Sequence, residues 1–353
     1  MIRLLGLALY GPLAASTRHR LGQYVPGLAL EGIDLQVRSL LGDEYLRRRF
    51  AGGSLPWLDL VVDAWGRCAD LWRGARFDAA MLHCELFPLM PGGLERGLLP
   101  KPYIYDFDDA FYLKYRKGRL GFMRWALGGK FDSVIAGASA VTAGNAALAD
   151  YARALNPATY QFPTVVDTEV HRPLPRERNN RFTVGWIGSP STAPYLSALV
   201  EPLSVLAGEG ALRFVVIGGK APAIPGAEVV ELPWSEQTEV ALINSLDVGV
   251  MPLPDDDWAR GKCAFKLIQY MACAIPVVAS RVGANVDVVA NEAGFLAESV
   301  QEWVAALRTL RDSPQDARRM GEAGRLRVEQ HYSLKRNLPI LAQIIRDMVA
   351  RGR

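Results

Sequence analysis

The stretch Asp247–Ser280, DVGVMPLPDDDWARGKCAFKLIQYMACAIPVVAS, decides the fold of this chain. It opens and closes with apolar runs, 248–253 and 275–279, whose length and β-branched content are typical of buried parallel strands. The spacing of the apolar residues between them predicts a helix over 262–273. Because strand, helix and strand follow one another, the sequence predicts an α/β fold built on a parallel sheet.

The helix predicted over 262–273 carries two cations on one face. Lys262, Lys266 and Gln269 recur at i, i+4 and i+7, and a flexible Gly261 precedes them. A helix start offers unpaired N–H groups with partial positive charge, so together with two ammonium groups it suits a phosphate. We therefore interpret Lys262 and Lys266 as candidate catalytic cations. The alternative is that both lysines only solvate a surface helix.

The segment FKLIQYMACAIPVVASRVGANVDVV, residues 265–289, followed by NEAGFLA at 291–297, resembles the donor site of family 4 glycosyltransferases. The closest matches are Met271–Ser280, Gly283 and Gly294–Leu296. The resemblance implies the GT-B fold, in which two Rossmann-like, doubly wound parallel-sheet domains face one another across a cleft. It also implies transfer of a sugar from a nucleotide-diphosphate sugar to a hydroxyl acceptor, with retained configuration and without a metal or other cofactor.

The chain departs from that family at two positions. The family usually carries a pair of glutamates separated by seven residues, and this chain has Gly261 and Gln269 there. The resemblance implies that Gln269 contacts the ribose of the donor, and its amide can still bond to a diol. The glutamate that touches the donor sugar in the family has no counterpart, which leaves the identity of that sugar open, and the sequence does not reveal the base either.

Length and composition set broad limits on the chain. Its 353 residues are enough for two domains, and a net charge of +3 gives no reason to expect nucleic acid as a partner. Four cysteines without a CxxC pair are typical of reduced thiols rather than of a zinc site.

No apolar run approaches the roughly 18 residues of a membrane helix. Residues 1–16 could be a signal peptide, but a first buried strand fits the α/β rhythm better, so we expect a cytoplasmic protein, or one at the inner face of the cell membrane.

The division into domains follows from composition. Residues 173–180 are rich in proline and charge, as linkers are. We therefore expect a first domain over 1–172 and a second over 173–334. The resemblance implies that a last helix, about 335–353, packs back on the first domain.

Several residues of the predicted first domain follow strands, at the edge where open α/β sheets bind ligands. Gly11 ends a strand predicted over 4–10, and a helix over 16–31 carries Arg18 and Arg20 in its first turns. Guanidinium groups bind phosphate well, but these two arginines could equally be solvated. Glu85 follows a strand over 79–84 and is a further candidate for substrate binding.

The cluster Asp106–Asp109 follows the next strand. Asp106 and Asp108 form a D-x-D pattern, which could hold a divalent metal, although the sequence predicts no metal site. The resemblance aligns Asp108 with a histidine that contacts the donor sugar, so Asp108 is a candidate catalytic residue that binds a hydroxyl or stabilises positive charge. These aspartates could also simply cap the following helix.

Residues 111–130, FYLKYRKGRLGFMRWALGGK, combine six cations with aromatic residues and contain no acid. This composition suits anionic lipid headgroups or a polyprenyl diphosphate, and peripheral membrane contact is one expectation. An ordinary helix pair with inward-facing aromatics is the other.

The predicted second domain starts with a strand over 183–187 and a turn of small residues. Gly188, Ser189, Ser191 and Thr192 lie in that turn, where backbone N–H groups could bind an anion. The turn is not a G-x-G-x-x-G fingerprint, which argues against a dinucleotide dehydrogenase. Trp234 could stack on a nucleobase or fill the core.

Together these features predict a nucleotide-sugar glycosyltransferase, and the resemblance implies that its acceptor is a glycan or a lipid-linked saccharide of surface polysaccharide synthesis. Lys262, Lys266 and helix amides would stabilise the departing diphosphate. A sugar-nucleotide epimerase of the same fold would use the cluster Asp106–Asp109 as acid and base. A non-catalytic nucleotide-sugar binding protein is the third hypothesis, prompted by the missing glutamates.

Overall fold

The computed structural model describes residues 1–50, 53, 57–175 and 181–352. The chain divides into two compact units. The first unit consists of Met1–Thr164, Gly261–Cys263 and Leu334–Arg353, and the second of Val165–Arg260 and Ala264–Ser333. The predicted boundary at 172/173 thus differs from the division found, which falls between Thr164 and Val165. Part of the predicted linker, 176–180, lies outside the described residues.

In its described residues, each unit contains one sheet of six parallel strands. The order along the first sheet is β2-β1-β3-β4-β5-β6, and along the second it is β12-β11-β10-β7-β8-β9. The strands are β1 Ile2–Tyr10, β2 Ile33–Leu41, β3 Ala79–His83, β4 Tyr103–Phe107, β5 Ala140–Ala143, β6 Thr159–Gln161, β7 Phe182–Ile187, β8 Leu212–Ile217, β9 Glu228–Leu232, β10 Val248–Met251, β11 Val277–Ser280 and β12 Gly294–Ala297.

Helices connect the strands, as parallel pairing requires. They are α1 Ala15–Arg20, α2 Val25–Leu30, α3 Asp43–Phe50, α4 Trp57–Trp72, α5 Gly92–Leu98, α6 Leu113–Arg116, α7 Arg124–Leu127, α8 Lys130–Gly137, α9 Ala146–Arg153, α10 Val200–Glu209, α11 Glu239–Asn244, α12 Asp257–Arg260, α13 Phe265–Ala272, α14 Ala284–Val289, α15 Val300–Asp312, α16 Pro314–Arg327 and α17 Leu334–Gly352. Short 3-10 helices span Gly22–Tyr24, Arg73–Arg76, Gly118–Met123 and Ala193–Leu199, and Val328–Tyr332 is a π-helix. In the described residues no helix is long and apolar enough to span a bilayer.

Both faces of the second sheet are buried. Along β8, Val215 and Ile217 pack in one apolar cluster, while Phe214 and Val216 pack in another. Successive side chains of a strand point to opposite faces, so helices must cover the sheet on both sides. This is why its strands read as continuous apolar runs in the sequence.

The strand orders locate the positions where ligands bind in doubly wound sheets. In the second sheet the strand order reverses between β7 and β10: β8 and β9 are added on one side, and β11 and β12 on the other. In the first sheet the order reverses between β1 and β3. Ligands bind in such sheets outside the carboxyl ends of the strands at these switch points. The residues that follow β7, β10, β1 and β3 are therefore placed where a ligand would bind.

The helix predicted over 262–273 is shorter than expected. α13 begins at Phe265, because Ala264 has a left-handed backbone with φ of +53°, which interrupts a right-handed helix. Lys262 lies before this break, in the three residues that belong to the first unit. The predicted shared helical face of Lys262 and Lys266 is therefore wrong.

The helix predicted over 16–31 is also interrupted. It consists of α1, a 3-10 turn at Gly22–Tyr24 and α2. Pro26 lies in the first turn of α2, where its missing N–H costs no helical hydrogen bond. Of these segments, α1 alone carries the two arginines considered for phosphate binding.

Candidate functional site

A glycine turn and a lysine meet at the switch point of the second sheet. Gly188 directly follows β7, and a Cβ atom there would lie 2.7 Å from Cε of Lys266 and closer still to the indole of Trp186. Only glycine fits this packing without displacing a neighbour. The Nζ atom of Lys266 lies 5.5 Å from the centre of the Trp186 ring, within the range of a cation–π contact. Two of the predicted anion-binding elements, the Gly188 turn and Lys266, are thus neighbours in space.

The hydroxyl groups predicted to follow Gly188 are at least partly exposed. Ser189 and Ser191 hydrogen-bond to each other at 2.8 Å, and the Thr192 hydroxyl donates to the Ser189 carbonyl at 3.1 Å. The turn leads into the 3-10 helix Ala193–Leu199, and α10 starts only at Val200. The structure therefore replaces the expected α-helix start after this turn with a tighter helix of different hydrogen bonding.

Trp234 lies beside the same turn. Gly218, which follows β8, has φ of +80°, and a Cβ atom there would lie 2.6 Å from the Gly188 carbonyl oxygen and 2.9 Å from Cβ of Trp234. A side chain at Gly218 would thus collide with both neighbours. Because Gly218 has no side chain, the partly buried Trp234 can lie next to the Gly188 backbone.

One buried carboxylate, Glu239 on α11, organises two of the predicted binding residues. The amide of Gln269 donates to its Oε1 at 2.8 Å, and the indole N–H of Trp234 donates to its Oε2. Nε2 of His171 also lies 3.0 Å from Oε1. One N–H of the Gln269 amide is engaged, which leaves its second N–H and its oxygen for other partners, although only 4% of the residue is exposed. Sequence reasoning missed Glu239, since nothing local distinguishes it from a surface residue of α11.

In the first unit, Asp106 is held by an internal ion pair. It is fully buried and accepts two hydrogen bonds from the guanidinium of Arg20, one of them from Nε at 3.0 Å. The Thr142 hydroxyl donates to it at 2.6 Å and Nδ1 of His83 lies 2.8 Å away. Burial alone would raise the pKa of Asp106, but Arg20 and His83 hold that pKa well below its usual range. The interpretation of Arg20 as a phosphate ligand is therefore corrected, because its guanidinium is buried and matched.

Asp108 is different, because its side chain keeps 15% of its surface exposed. Its Oδ1 atom lies 3.8 Å from Nε2 of His83, a buried atom with no hydrogen-bond partner in the described part of the chain. Since Asp106 is ionised and can only accept, Nδ1 of His83 carries the proton of that contact. His83 thus lies between the two carboxylates. His83 is the last residue of β3, and the sequence alone predicted no role for it.

Lys262 lies at the same edge of the first sheet. Its Nζ atom is 3.3 Å from Oδ1 of Asp109, and 14% of its side chain is exposed. The Asn145 amide donates to its carbonyl at 2.9 Å, and the thiol of Cys263 donates to the Asp108 carbonyl at 3.0 Å. Burial raises the pKa of that thiol, which keeps it protonated. The carboxylate of Asp109 thus already pairs with the ammonium of Lys262. The sequence had predicted that this ammonium would pair with a phosphate of the substrate.

The glycine turn after β1 already holds an anion of the protein itself. A Cβ atom at Gly11 would collide with the carboxylate of Asp43, and Oδ1 of Asp43 accepts the N–H of Leu13 at 2.8 Å. Arg18 donates to the carbonyls of Pro12 and Leu13 at 2.8 and 2.9 Å. The predicted phosphate contacts of Gly11 and Arg18 thus coincide with internal hydrogen bonds.

Glu85 is buried in a second ion-pair network. Lys130 lies 2.8 Å from it and 2.9 Å from Glu95, and Lys114 and the Tyr115 hydroxyl also donate to Glu85. Burial would raise the pKa of Glu85, but Lys130 and Lys114 lower it. Glu85 is therefore occupied by protein cations, which contradicts its predicted contact with substrate. Two cations of the 111–130 segment, Lys114 and Lys130, accordingly point inward.

The comparisons with known proteins agree with this arrangement. Residues 181–313 match the family model of Glycosyl transferases group 1, while no curated protein matches the sequence. Sucrose-phosphate synthase from Thermosynechococcus elongatus is similar in structure, with a TM-score of 0.69 over 99% of this chain and 100% of that one, at 14% identity. The chain has the GT-B fold. The fold predicted from the sequence is thereby confirmed.

Two further structures share the GT-B fold. HepE from Anabaena, solved in complex with UDP and glucose, has a TM-score of 0.69, 13% identity, and coverage of 99% of this chain and 100% of its own. A glycosyltransferase from Rickettsia africae has a TM-score of 0.68 at 12% identity, with coverage of 100% of this chain and 99% of its own. At these identities the likeness establishes only a common GT-B fold. The reaction has to be inferred from the residues of this chain.

Proposed function

We propose that this protein is a glycosyltransferase that moves a sugar from a nucleotide-diphosphate sugar to a hydroxyl acceptor, with retained configuration and without a metal. The group 1 match covers most of the second unit, and the GT-B fold supports the same class. The observation that carries the proposal is the meeting of Lys266 with the Gly188 turn at the switch point of the second sheet.

The hard step in such a transfer is the separation of a diphosphate from an oxocarbenium-like sugar. Lys266 supplies a positive charge beside backbone N–H groups of the Gly188 turn, where a diphosphate accumulates negative charge. The indole of Trp186 covers one side of the ammonium, which lowers its hydration and strengthens its attraction for an anion. In the family that the sequence resembles, the departing phosphate takes the proton of the acceptor, so this mechanism needs no base from the protein.

The remaining binding roles fall to Trp234, Gln269 and Asp108. Trp234 would stack on the base of the donor, and the amide oxygen of Gln269 would accept a hydroxyl of its ribose. Asp108 is the candidate in the first unit, as a partly exposed carboxylate that binds a sugar hydroxyl or stabilises positive charge. HepE was solved with UDP and with UDP-glucose, so a uridine diphosphate sugar is the first donor to test.

The acceptor proposed here is a glycan or a lipid-linked saccharide of surface polysaccharide synthesis. Peripheral contact of 111–130 with the inner face of the cell membrane is a separate proposal. It rests on the exposed side chains of Phe122 and Trp125.

The test is nucleotide release from a panel of nucleotide sugars, with and without membrane extract as the acceptor source. Release that depends on the extract supports transfer. Isomerised sugar without an acceptor would instead support an epimerase, and binding without turnover would support a non-catalytic protein.

A lysine variant tests the mechanism directly. Lys266→Ala should lower turnover by about 100-fold or more, because it removes a charge that matters most as the diphosphate departs. Lys220→Ala is the matched control, since Lys220 is an exposed lysine of the same unit that pairs with Glu231. Turnover of Lys266→Ala within a few-fold of the control would remove Lys266 from the mechanism.

A further inference from the structure

Helix α4 turns its apolar side away from the protein. Val61, Trp65 and Trp72 recur at intervals of four and seven residues, so they form one stripe along the helix. Trp65 is 73% exposed, Trp72 is 82% exposed and the neighbouring Val62 is 68% exposed. The stripe is about 16 Å long at the rise of an α-helix. A surface helix normally shows the opposite arrangement, with its polar side in water.

One polar residue of α4, Arg67, faces the sheet and fixes the rotation of the helix, whereas Asp59 at its start is exposed. Arg67, on the side opposite Trp65, is fully buried, and its Nη2 atom donates to the carbonyl of Ala8 in β1 and, at 3.3 Å, to that of Arg38 in β2. Rolling the helix to hide its tryptophans would pull this guanidinium away from both acceptors. Burial lowers the pKa of Arg67 to about 10.

The end of the stripe is basic. Arg73 and Arg76 follow Trp72 directly in a 3-10 helix, and both are exposed. Neither forms an ion pair with another residue in the parts of the chain that the structure describes. An exposed aromatic stripe that ends in two uncompensated cations combines an apolar contact with a positive one.

We propose that this surface, the α4 stripe of Val61, Val62, Trp65 and Trp72 with Arg73 and Arg76, docks on a bilayer that contains anionic lipid. Tryptophan is suited to the headgroup region, where its ring is buried and its N–H stays hydrated. Arginines next to it are attracted by the negative surface potential of the lipid.

The α4 stripe differs from the 111–130 segment as a membrane contact. Within 111–130, Lys114 and Lys130 pair with buried Glu85, and Arg116 pairs with Asp132. In the α4 surface both cations remain directed to solvent. This proposal does not depend on sugar transfer, because binding to lipid needs no nucleotide sugar.

The experiment is flotation of the full-length protein with vesicles of phosphatidylcholine alone or mixed with phosphatidylglycerol. The wild type should float only with the mixed vesicles. The double variant Trp65→Ser and Trp72→Ser should lower the partition coefficient by about tenfold or more, since the apolar contact is lost. The double variant Arg73→Glu and Arg76→Glu should lower the partition coefficient by about 25-fold, which is about fivefold for each arginine removed. Repulsion between the two new carboxylates and the anionic lipid should lower it further.

Two controls keep the outcome specific. Val205→Ser with Leu326→Ser removes exposed apolar residues from the second unit, and Arg318→Glu with Arg319→Glu reverses two exposed arginines there. Both should float like the wild type, and thermal unfolding should show that all the variants fold.

Three results would overturn the proposal. One is a wild type that does not float with the mixed vesicles. Another is an α4 variant that floats like the wild type, in which case loss of flotation in Phe122→Ser with Trp125→Ser would assign the contact to 111–130. The third is a wild-type dimer that the tryptophan changes convert to a monomer, which would assign the stripe to a second copy of the chain.

Discussion

The carboxyl ends of the two sheets have the same kind of topology but present different charged groups. At the first sheet, Asp106 and Glu85 are buried and each is matched by cations of the protein. At the second, a glycine turn at Gly188 meets Lys266, whose ammonium lies over an aromatic ring. The contrast teaches that a strand order places a candidate site, whereas side chains far apart in the sequence decide which groups meet there.

The largest expected effect comes from breaking the internal pair of the first sheet. Arg20→Ala would leave the carboxylate of Asp106 buried without its main cation, which typically costs about 3–5 kcal/mol. Urea unfolding monitored by circular dichroism would measure the loss.

The matched control is Arg308→Ala, which breaks a surface pair with Glu209 and should cost at most about 1 kcal/mol. Equal losses for Arg20→Ala and Arg308→Ala would show that the Asp106 pair is no more important than a surface pair. The electrostatic contrast between the two sheets would then lose its main support.

A smaller effect should come from crowding the glycine turn of the second sheet. Gly188→Ala would push its Cβ into the ring of Trp186 and the chain of Lys266, an overpacking that typically costs about 1–3 kcal/mol. If the turn binds a diphosphate, the affinity for UDP should also fall by about tenfold, because a change of roughly 1.4 kcal/mol in binding corresponds to a factor of ten. Calorimetric titration with UDP would measure it.

Gly208→Ala serves as the control for the glycine turn, since a Cβ atom there meets no neighbour within 4 Å. UDP affinity that is unchanged in Gly188→Ala, with a stability loss as expected, would show that the turn packs the core without binding the nucleotide.

The fold was predictable because its signals are local. The apolar run 248–253 corresponds to β10, Val248–Met251, and the run 275–279 overlaps β11, Val277–Ser280. Buried parallel strands need continuous apolar residues, and this requirement is visible in a window of a few residues. The resemblance over 265–297 added the fold family to the fold class.

The roles of individual charges were not predictable in the same way. Arg20 and its partner Asp106 are separated by 86 residues. Asp43, which contacts the Gly11 turn, follows the end of the next strand, β2, and bonds to Leu13, 30 residues earlier. Sequence spacing gives no measure of such distant pairs. The break at Ala264 was also hidden, because alanine favours helices and takes a left-handed conformation only when tertiary contacts impose it.

The smallest expected effect is a pH dependence that belongs to the first sheet. Arg20 and His83 hold the pKa of Asp106 well below the value of about 3.9 that an aspartate has in an unfolded chain. The native state therefore holds fewer protons than the unfolded state as the pH falls below about 4. The stabilisation from Asp106 is complete above that pH and is lost progressively toward its lowered native pKa.

The unfolding free energy should accordingly fall as the pH is lowered from about 4 toward the native pKa of Asp106, with at most about 1.4 kcal/mol per pH unit from this one carboxylate. Asp106→Asn should show a shallower slope, because it has no proton to gain there, while Asp316→Asn, which removes a surface carboxylate near Arg319, should keep the slope of the wild type. Urea unfolding at a series of pH values gives all three slopes.

If the unfolding free energies of Asp106→Asn and the wild type fall with the same slope as the pH is lowered, other carboxylates dominate acid unfolding. The buried pair at the first sheet would then be a steric feature of the fold rather than the electrostatic one that distinguishes it from the second.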